Sequence, residues 1–166
     1  DQVQALTTDA VKALLTSTVQ ALSTDQLSAL TSGQVQALNS GQLQALGTAQ
    51  VRDMASTQLA NLSSTQIKAL TSSQLNNLGS EMVQALGSLQ LRAISSDQLR
   101  AMDVGQLNLL TSDQVMSLTT GQVQALNTSQ VSQLASAQLT SFDSSQVKAL
   151  TSSQLNVLTS AAMQAI

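Results

Sequence analysis

Every eighth residue of this chain is apolar, and so is the residue three places after it, from the first octad to the last. Starting at Thr7 the sequence divides into twenty octads without insertion or deletion, as in TSGQVQAL (31–38), SSTQIKAL (63–70) and TSSQLNVL (151–158). Positions are labelled a to h. Positions e and h are always apolar, d is Gln in 16 of 20 octads, b is Ser or Thr in 19 of 20, and g is mostly Ala. Ala10, Thr18, Met82 and Ala162 depart at d, and Val104 departs at b. A strict period of this length points to a repeat architecture, in which one small unit stacks on its neighbours.

Each octad carries the signals that start a helix. A hydroxyl at a followed by Gln at d makes a capping box: the hydroxyl accepts from the N3 amide, and the Gln accepts from the N-cap amide. The apolar h residue before the cap and the apolar e residue after it form a hydrophobic staple. Charges agree with this frame. All six bases (Lys12, Arg52, Lys68, Arg92, Arg100, Lys148) fall at f, late in the helix, and six of nine acids fall at c, in its first turn, as the helix dipole favours. Glycine occurs only at a and c, and a Gly or Asn at a is also placed to end the preceding helix in a left-handed conformation.

Other folds fit less well. A single long helix needs an apolar repeat near 3.5 or 3.67 residues, a β-solenoid needs period 2, and disorder does not explain apolar residues at every e and h. The expected fold is an all-α solenoid of very short helices, one per eight residues, each about six or seven residues long. Position e suggests how they pair. The e residues at 3, 19, 35 and every sixteenth residue after are β-branched in 9 of 11 cases, and those at 11, 27, 43 and every sixteenth residue after are Leu in 8 of 10. The alternation predicts two helices, sixteen residues, per coil. Residues 1–166 then form one repeat domain of about ten coils, an elongated rod of roughly 80–100 Å, with e and h as a thin core.

Composition narrows the function. There is no Cys or His, charged residues are 9%, and the net charge is −3. No thiolate or imidazole is present for metal or nucleophilic chemistry, and no basic surface is present to neutralise nucleic-acid phosphates. No apolar run approaches the 18 residues or so of a membrane span. The Ser64–Lys68 pair reads as a capped first turn beside a solvated cation rather than a Ser–Lys dyad. Asp97 and Asp113 would lie one coil apart, about 9–10 Å, too far to share a calcium ion. Asp9–Lys12 and Asp97–Arg100 read as i, i+3 pairs. The expectation is a chain with no enzymatic activity and no cofactor.

Two features leave more than one reading. The repeated Gln either only caps helices or also forms a ladder of side-chain amides between coils. The f positions either form a solvated face or a polar stripe that contacts a protein or carbohydrate partner. The candidate stripe is Gln20, Gln36, Gln44, Arg52, Lys68, Gln84, Arg92, Arg100, Gln124 and Lys148. With Phe142 as the single aromatic of the chain, the usual hot spots and sugar-stacking platforms are missing.

The motif L-T-x-x-Q-[VL], at Leu110–Val115 and Leu150–Leu155, resembles the opening of TAL-effector repeats. Those repeats are about 34 residues long and wrap DNA. With a period of eight and few bases, only the physics of the helix start is shared here, and the function is not carried over. Over all 166 residues the chain resembles the Leu-Thr-Thr-x-Gln-Val-x-Ala-Leu arrays of large secreted bacterial surface proteins. That resemblance implies a non-enzymatic structural scaffold or spacer, secreted or at the cell surface and adhesin-like. The mid-repeat start at Asp1 is read as an excerpt from a longer protein, with further repeats flanking it or with ends that stack on one another.

Overall fold

The computed structural model describes residues 2–166. Twenty helices and no strand occur among them, one helix in each octad. The helices gather into two compact units, Asp1–Leu86 and Gly87–Ile166. In the first lie α1 (Thr8–Ala13), α2 (Thr16–Gln20), α3 (Thr24–Ser28), α4 (Ser32–Ala37), α5 (Ser40–Ala45), α6 (Thr48–Arg52), α7 (Ser56–Ala60), α8 (Ser64–Ala69), α9 (Ser72–Asn76) and α10 (Ser80–Gln84). In the second lie α11 (Ser88–Ala93), α12 (Ser96–Arg100), α13 (Val104–Leu107), α14 (Ser112–Ser117), α15 (Thr120–Ala125), α16 (Thr128–Ser132), α17 (Ser136–Leu139), α18 (Ser144–Ala149), α19 (Ser152–Leu155) and α20 (Ser160–Ala165).

Each helix starts where the octad frame places it, at b, with a as N-cap. Thr31 illustrates the box: its Oγ1 accepts from the Gln34 amide at 3.3 Å, and Gln34 Oε1 accepts from the Thr31 amide at 2.8 Å. The helices run four to six residues, slightly shorter than expected, as in α13, α2 and α4. The chain leaves many of them through two extended residues, h and then a. At Leu38 φ is −63° and ψ is 132°, and at Asn39 φ is −81° and ψ is 169°. The Leu38 amide still bonds back to the Val35 carbonyl at 3.2 Å.

This corner corrects the expected left-handed helix ends. No described residue, glycine included, has positive φ. Gly47, Gly79 and Gly87 are extended N-caps. The turn between helices is made by extended backbone, which any L-residue adopts, so glycine is not needed to reverse the chain.

The number of helices per coil also differs from expectation. In unit 1 the stacked pairs are α1 on α4, α2 on α5, α3 on α6, α4 on α7, α5 on α8, α6 on α9 and α7 on α10. In unit 2 they are α11 on α14, α12 on α15, α14 on α17, α15 on α18, α16 on α19 and α17 on α20. Within each unit the stacked helices are three apart in the chain. A coil holds three octads, twenty-four residues, and not two octads and sixteen.

The sixteen-residue alternation has a different physical origin. Because three is odd, stacking n on n+3 sets a Val octad against a Leu octad. Down one column the e residues are Leu27, Val51 and Leu75, and down the next Val35, Leu59 and Val83. Alternating large and small side chains along a stack lets layers interdigitate at native density. The e residues form the centre of the core: Leu27, Leu43, Leu59, Ile67 and Val123 are fully buried. Leu at h closes the corners, as at Leu38, Leu70 and Leu78.

Candidate functional site

The most repeated polar side chain lies inside the fold. Gln34, Gln42, Gln58, Gln74, Gln130 and Gln146 are buried beside the apolar e and h residues. Burying an amide without partners is costly, and glutamine has one acceptor and two donated hydrogens to satisfy. The structure satisfies both ends. Oε1 accepts from the N-cap amide of its own helix. Nε2 donates to carbonyl oxygens 28 and 31 residues earlier, at the h and e positions of the fourth octad back.

The pattern recurs in each unit. In unit 1 Gln34 bonds Val3 and Leu6, Gln50 bonds Val19 and Leu22, Gln66 bonds Val35 and Leu38, and Gln74 bonds Leu43 and Leu46. In unit 2 Gln122 bonds Leu91 and Ile94, Gln130 bonds Leu99 and Met102, and Gln154 bonds Val123 and Leu126. The h carbonyl follows a helix end, where intrahelical partners run out. The ladder therefore caps the C-terminus of one helix with the side chain that caps the N-terminus of another.

Both sequence readings of Gln hold at once, and each uses a different atom of the amide. A sequence signal for the second was present. Gln stands at d in four octads whose a residue has no side-chain acceptor: Gly47, Ala55, Gly87 and Ala135 still give their amides to Gln50, Gln58, Gln90 and Gln138 at 2.7–3.0 Å. Half a box remains there, so capping by a hydroxyl is not what holds Gln in the repeat. At α13, whose N-cap is Asp103, no side-chain cap bond forms.

All ten residues of the proposed stripe are exposed: Gln20, Gln36, Gln44, Arg52, Lys68, Gln84, Arg92, Arg100, Gln124 and Lys148. They do not form one line. The helices bearing Gln20, Gln44 and Lys68 stack as one column in unit 1, and those bearing Arg100, Gln124 and Lys148 as one column in unit 2. Gln36, Arg52 and Gln84 lie on other columns of unit 1, and Arg92 on another column of unit 2.

Several f residues also bridge coils. Gln36 Nε2 donates to the Asn61 carbonyl at 2.8 Å, Arg92 Nε to the Ser117 carbonyl at 2.9 Å, and Arg100 Nε to the Ala125 carbonyl at 3.2 Å. Each acceptor is a g carbonyl, 25 residues on, near the end of the helix stacked on the donor's own. Sequence reasoning assigned these side chains to solvent or to a partner and missed this use.

The charged groups form short local pairs. Lys12 and Asp9 lie 3.3 Å apart and Arg100 and Asp97 3.9 Å apart, both i, i+3 as expected, and Arg52 meets its neighbour Asp53 at 3.1 Å. Asp97 and Asp113 are on α12 and α14, which do not stack in a three-helix coil, so the expected coil-to-coil spacing between them does not hold. Ser64 and Lys68 are both exposed on α8. Among the described residues no three acids gather as a metal site, and no helix is long and apolar enough to cross a membrane.

The ALTTAQ repeat family matches the chain at residues 3–40, 35–72, 43–80, 53–88 and 83–120. The overlapping matches run from residue 3 to residue 120, well over half of the chain. The six letters of the family name spell positions g to d of the octad, as in Ala45-Leu46-Gly47-Thr48-Ala49-Gln50. No curated protein matches the chain. With its octads tiled by that repeat and each folded as one capped helix, the chain belongs to the ALTTAQ repeat family.

Proposed function

We propose that this array is a non-enzymatic structural spacer of a large secreted or cell-surface bacterial protein, holding other modules apart or on display. The observation that carries this reading is the internal use of the repeated polar side chain. Gln at d, the residue a binding array would be expected to present outward, is buried in most octads, and residues such as Gln42 use both ends of the amide on the backbone. The repeat's polar chemistry thus supports the scaffold itself. The resemblance to surface-protein arrays supports the proposed location.

A second reading is a binding module that grips a protein or carbohydrate partner through f residues. The exposure of all ten, and the alignment of Lys68 with Gln20 and Gln44 in one column, favour it. One experiment separates the two in the full-length protein. Octads are removed from the array in one variant, and Gln20, Gln44, Lys68, Gln124 and Lys148 are changed to Ser in another. A spacer loses function with length and keeps it with the substitutions. Loss of function in the substituted protein at unchanged melting temperature overturns the spacer reading. Fractionation of cells carrying the full-length protein tests location, and recovery only from the cytosol overturns it.

A further inference from the structure

The ladder lacks a rung at Met82. Every other octad from the third to the nineteenth carries Gln at d, and the tenth carries methionine, buried at 3% exposure. A thioether has no N–H to donate and is a weak acceptor. Two backbone groups lose their usual partners as a result. The Met54 carbonyl, equivalent to the Leu22 and Leu46 carbonyls that Gln50 and Gln74 reach, meets no donor among the described residues. The Gly79 amide, equivalent to the Gly47 amide that Gln50 Oε1 meets at 2.7 Å, meets no acceptor among them, and α10 has no side-chain cap bond.

The site opens to solvent. Met54, Met82, Ala55, Gly79 and Glu81 line a shallow groove. Glycine at the cap keeps its mouth wide, since a Cβ on Gly79 would meet no atom within 4 Å. Met82 thus lines a groove open to a small oxidant although its side chain is buried.

We infer that Met82 is an oxidation site at which the sulfoxide completes half of the missing rung. In glutamine Oε1 and Nε2 both hang from Cδ. In methionine sulfoxide the oxygen and the methyl both hang from Sδ, the same number of bonds from the backbone. The new oxygen takes the place of Oε1 and accepts from the Gly79 amide. The methyl takes the place of Nε2 and leaves the Met54 carbonyl as it was. The oxidant is a hydroperoxide. A sulfur lone pair forms the S–O bond, the O–O bond breaks, and the hydroperoxide proton passes to the departing oxygen, giving an alcohol or water. Sulfur loses two electrons and the peroxide gains them. Buried sulfoxides ordinarily disrupt a core because a polar oxygen is left without a donor. Here a donor is in place.

The test uses the intact chain with Met54→Leu, Met102→Leu, Met116→Gln and Met163→Leu, so that Met82 is the sole sulfur. Leu is the usual residue at h and common at e, and Gln is common at f, which suits the replacements to the repeat. Hydrogen peroxide should add one oxygen by mass, hold the melting temperature or raise it, and slow exchange of the Gly79 amide about tenfold. Unchanged exchange at Gly79 after oxygen uptake, a fall in melting temperature, or a folded protein that takes up no oxygen each overturns the proposal. Met82→Gln is the reference: its Gly79 amide should be protected before peroxide and unaffected by it. In the unsubstituted chain, Met82 sulfoxide should stay in the folded fraction while Met54 sulfoxide collects in the unfolded one. The reverse partition overturns the proposal without relying on the substituted protein.

Discussion

Gln42 Nε2 lies 2.8 Å from the carbonyl oxygen of Leu14, twenty-eight residues earlier. The Oε1 of the same amide group accepts from the Asn39 amide at 2.8 Å, so one side chain joins the start of α5 to the corner that follows α1. Gln42→Leu keeps the bulk and removes the bonds at both ends of the amide. Each buried backbone group left without a partner costs roughly 1–3 kcal/mol. The variant should melt well below the parent, and Gln26→Leu, at an exposed position, should not. Equal losses in thermal melts would show that the ladder adds nothing beyond the cap.

Core and cap should separate by size. Leu118 is 6% exposed, and Leu118→Ala should cost about 2–5 kcal/mol through lost burial and a cavity. Thr111→Ala removes one cap acceptor for the Gln114 amide, at 3.3 Å, and should cost nearer 1 kcal/mol. Chemical denaturation of both variants checks the order, and a costlier Thr111→Ala would refute the frame.

The parity of the coil gives a less intuitive expectation. Deleting two octads, residues 39–54, restacks α2 on α7, α3 on α8 and α4 on α9, and keeps Val19 against Leu59 and Val35 against Leu75. Deleting three octads, residues 39–62, removes a whole coil yet sets Leu27 against Leu75 and Val35 against Val83. Overpacked and underfilled layers each cost about 1–3 kcal/mol. The shorter protein with one whole coil removed should therefore be less stable than the difference in length explains. Comparing denaturation midpoints of the two deletions decides the matter.

Arg100 separates charge from hydrogen bonding. Its pair with Asp97 is 3.9 Å long, with the carboxylate 96% exposed, and such surface pairs contribute little. Its Nε also donates to the Ala125 carbonyl at 3.2 Å. Asp97→Asn should change stability by less than about 0.5 kcal/mol, and Arg100→Ala by about 1 kcal/mol. A double-mutant cycle at low and high salt measures the coupling. A large, salt-sensitive value would return the stabilisation to the ion pair.

Much of this architecture is legible in the octad. Helix frequency, helix start, cap, staple and the outward direction of f follow from local chemistry within eight residues, and Thr31, Gln34 and Lys68 stand where that chemistry puts them. The coil is not legible in the same way, because a sixteen-residue alternation of Val and Leu does not fix how many helices make a coil. Val against Leu along a stack needs only an odd number of helices per coil, and Val51 between Leu27 and Leu75 satisfies three as well as one. Nothing within one octad distinguishes these, because the choice is made by contacts between residues about twenty-four apart. The ladder was half legible: capping accounts for Gln Oε1 and says nothing of Nε2, and the persistence of Gln50 behind Gly47 was the sign of a second partner. At f, Arg92 and Gln36 look like solvated side chains because their acceptors lie 25 residues away.

The reach of each glutamine sets a minimum size for folding. A bond between residues 28 to 31 apart exists only when four earlier octads are already in place. An emerging chain thus lays down its opening octads with no rung between them, and the Gln octads that follow within a unit add their rungs to an edge already formed. Nucleation is costly and growth is repetitive, as in a zipper. Lengthening such an array by duplication leaves the nucleus unchanged and extends only the part that grows one octad at a time.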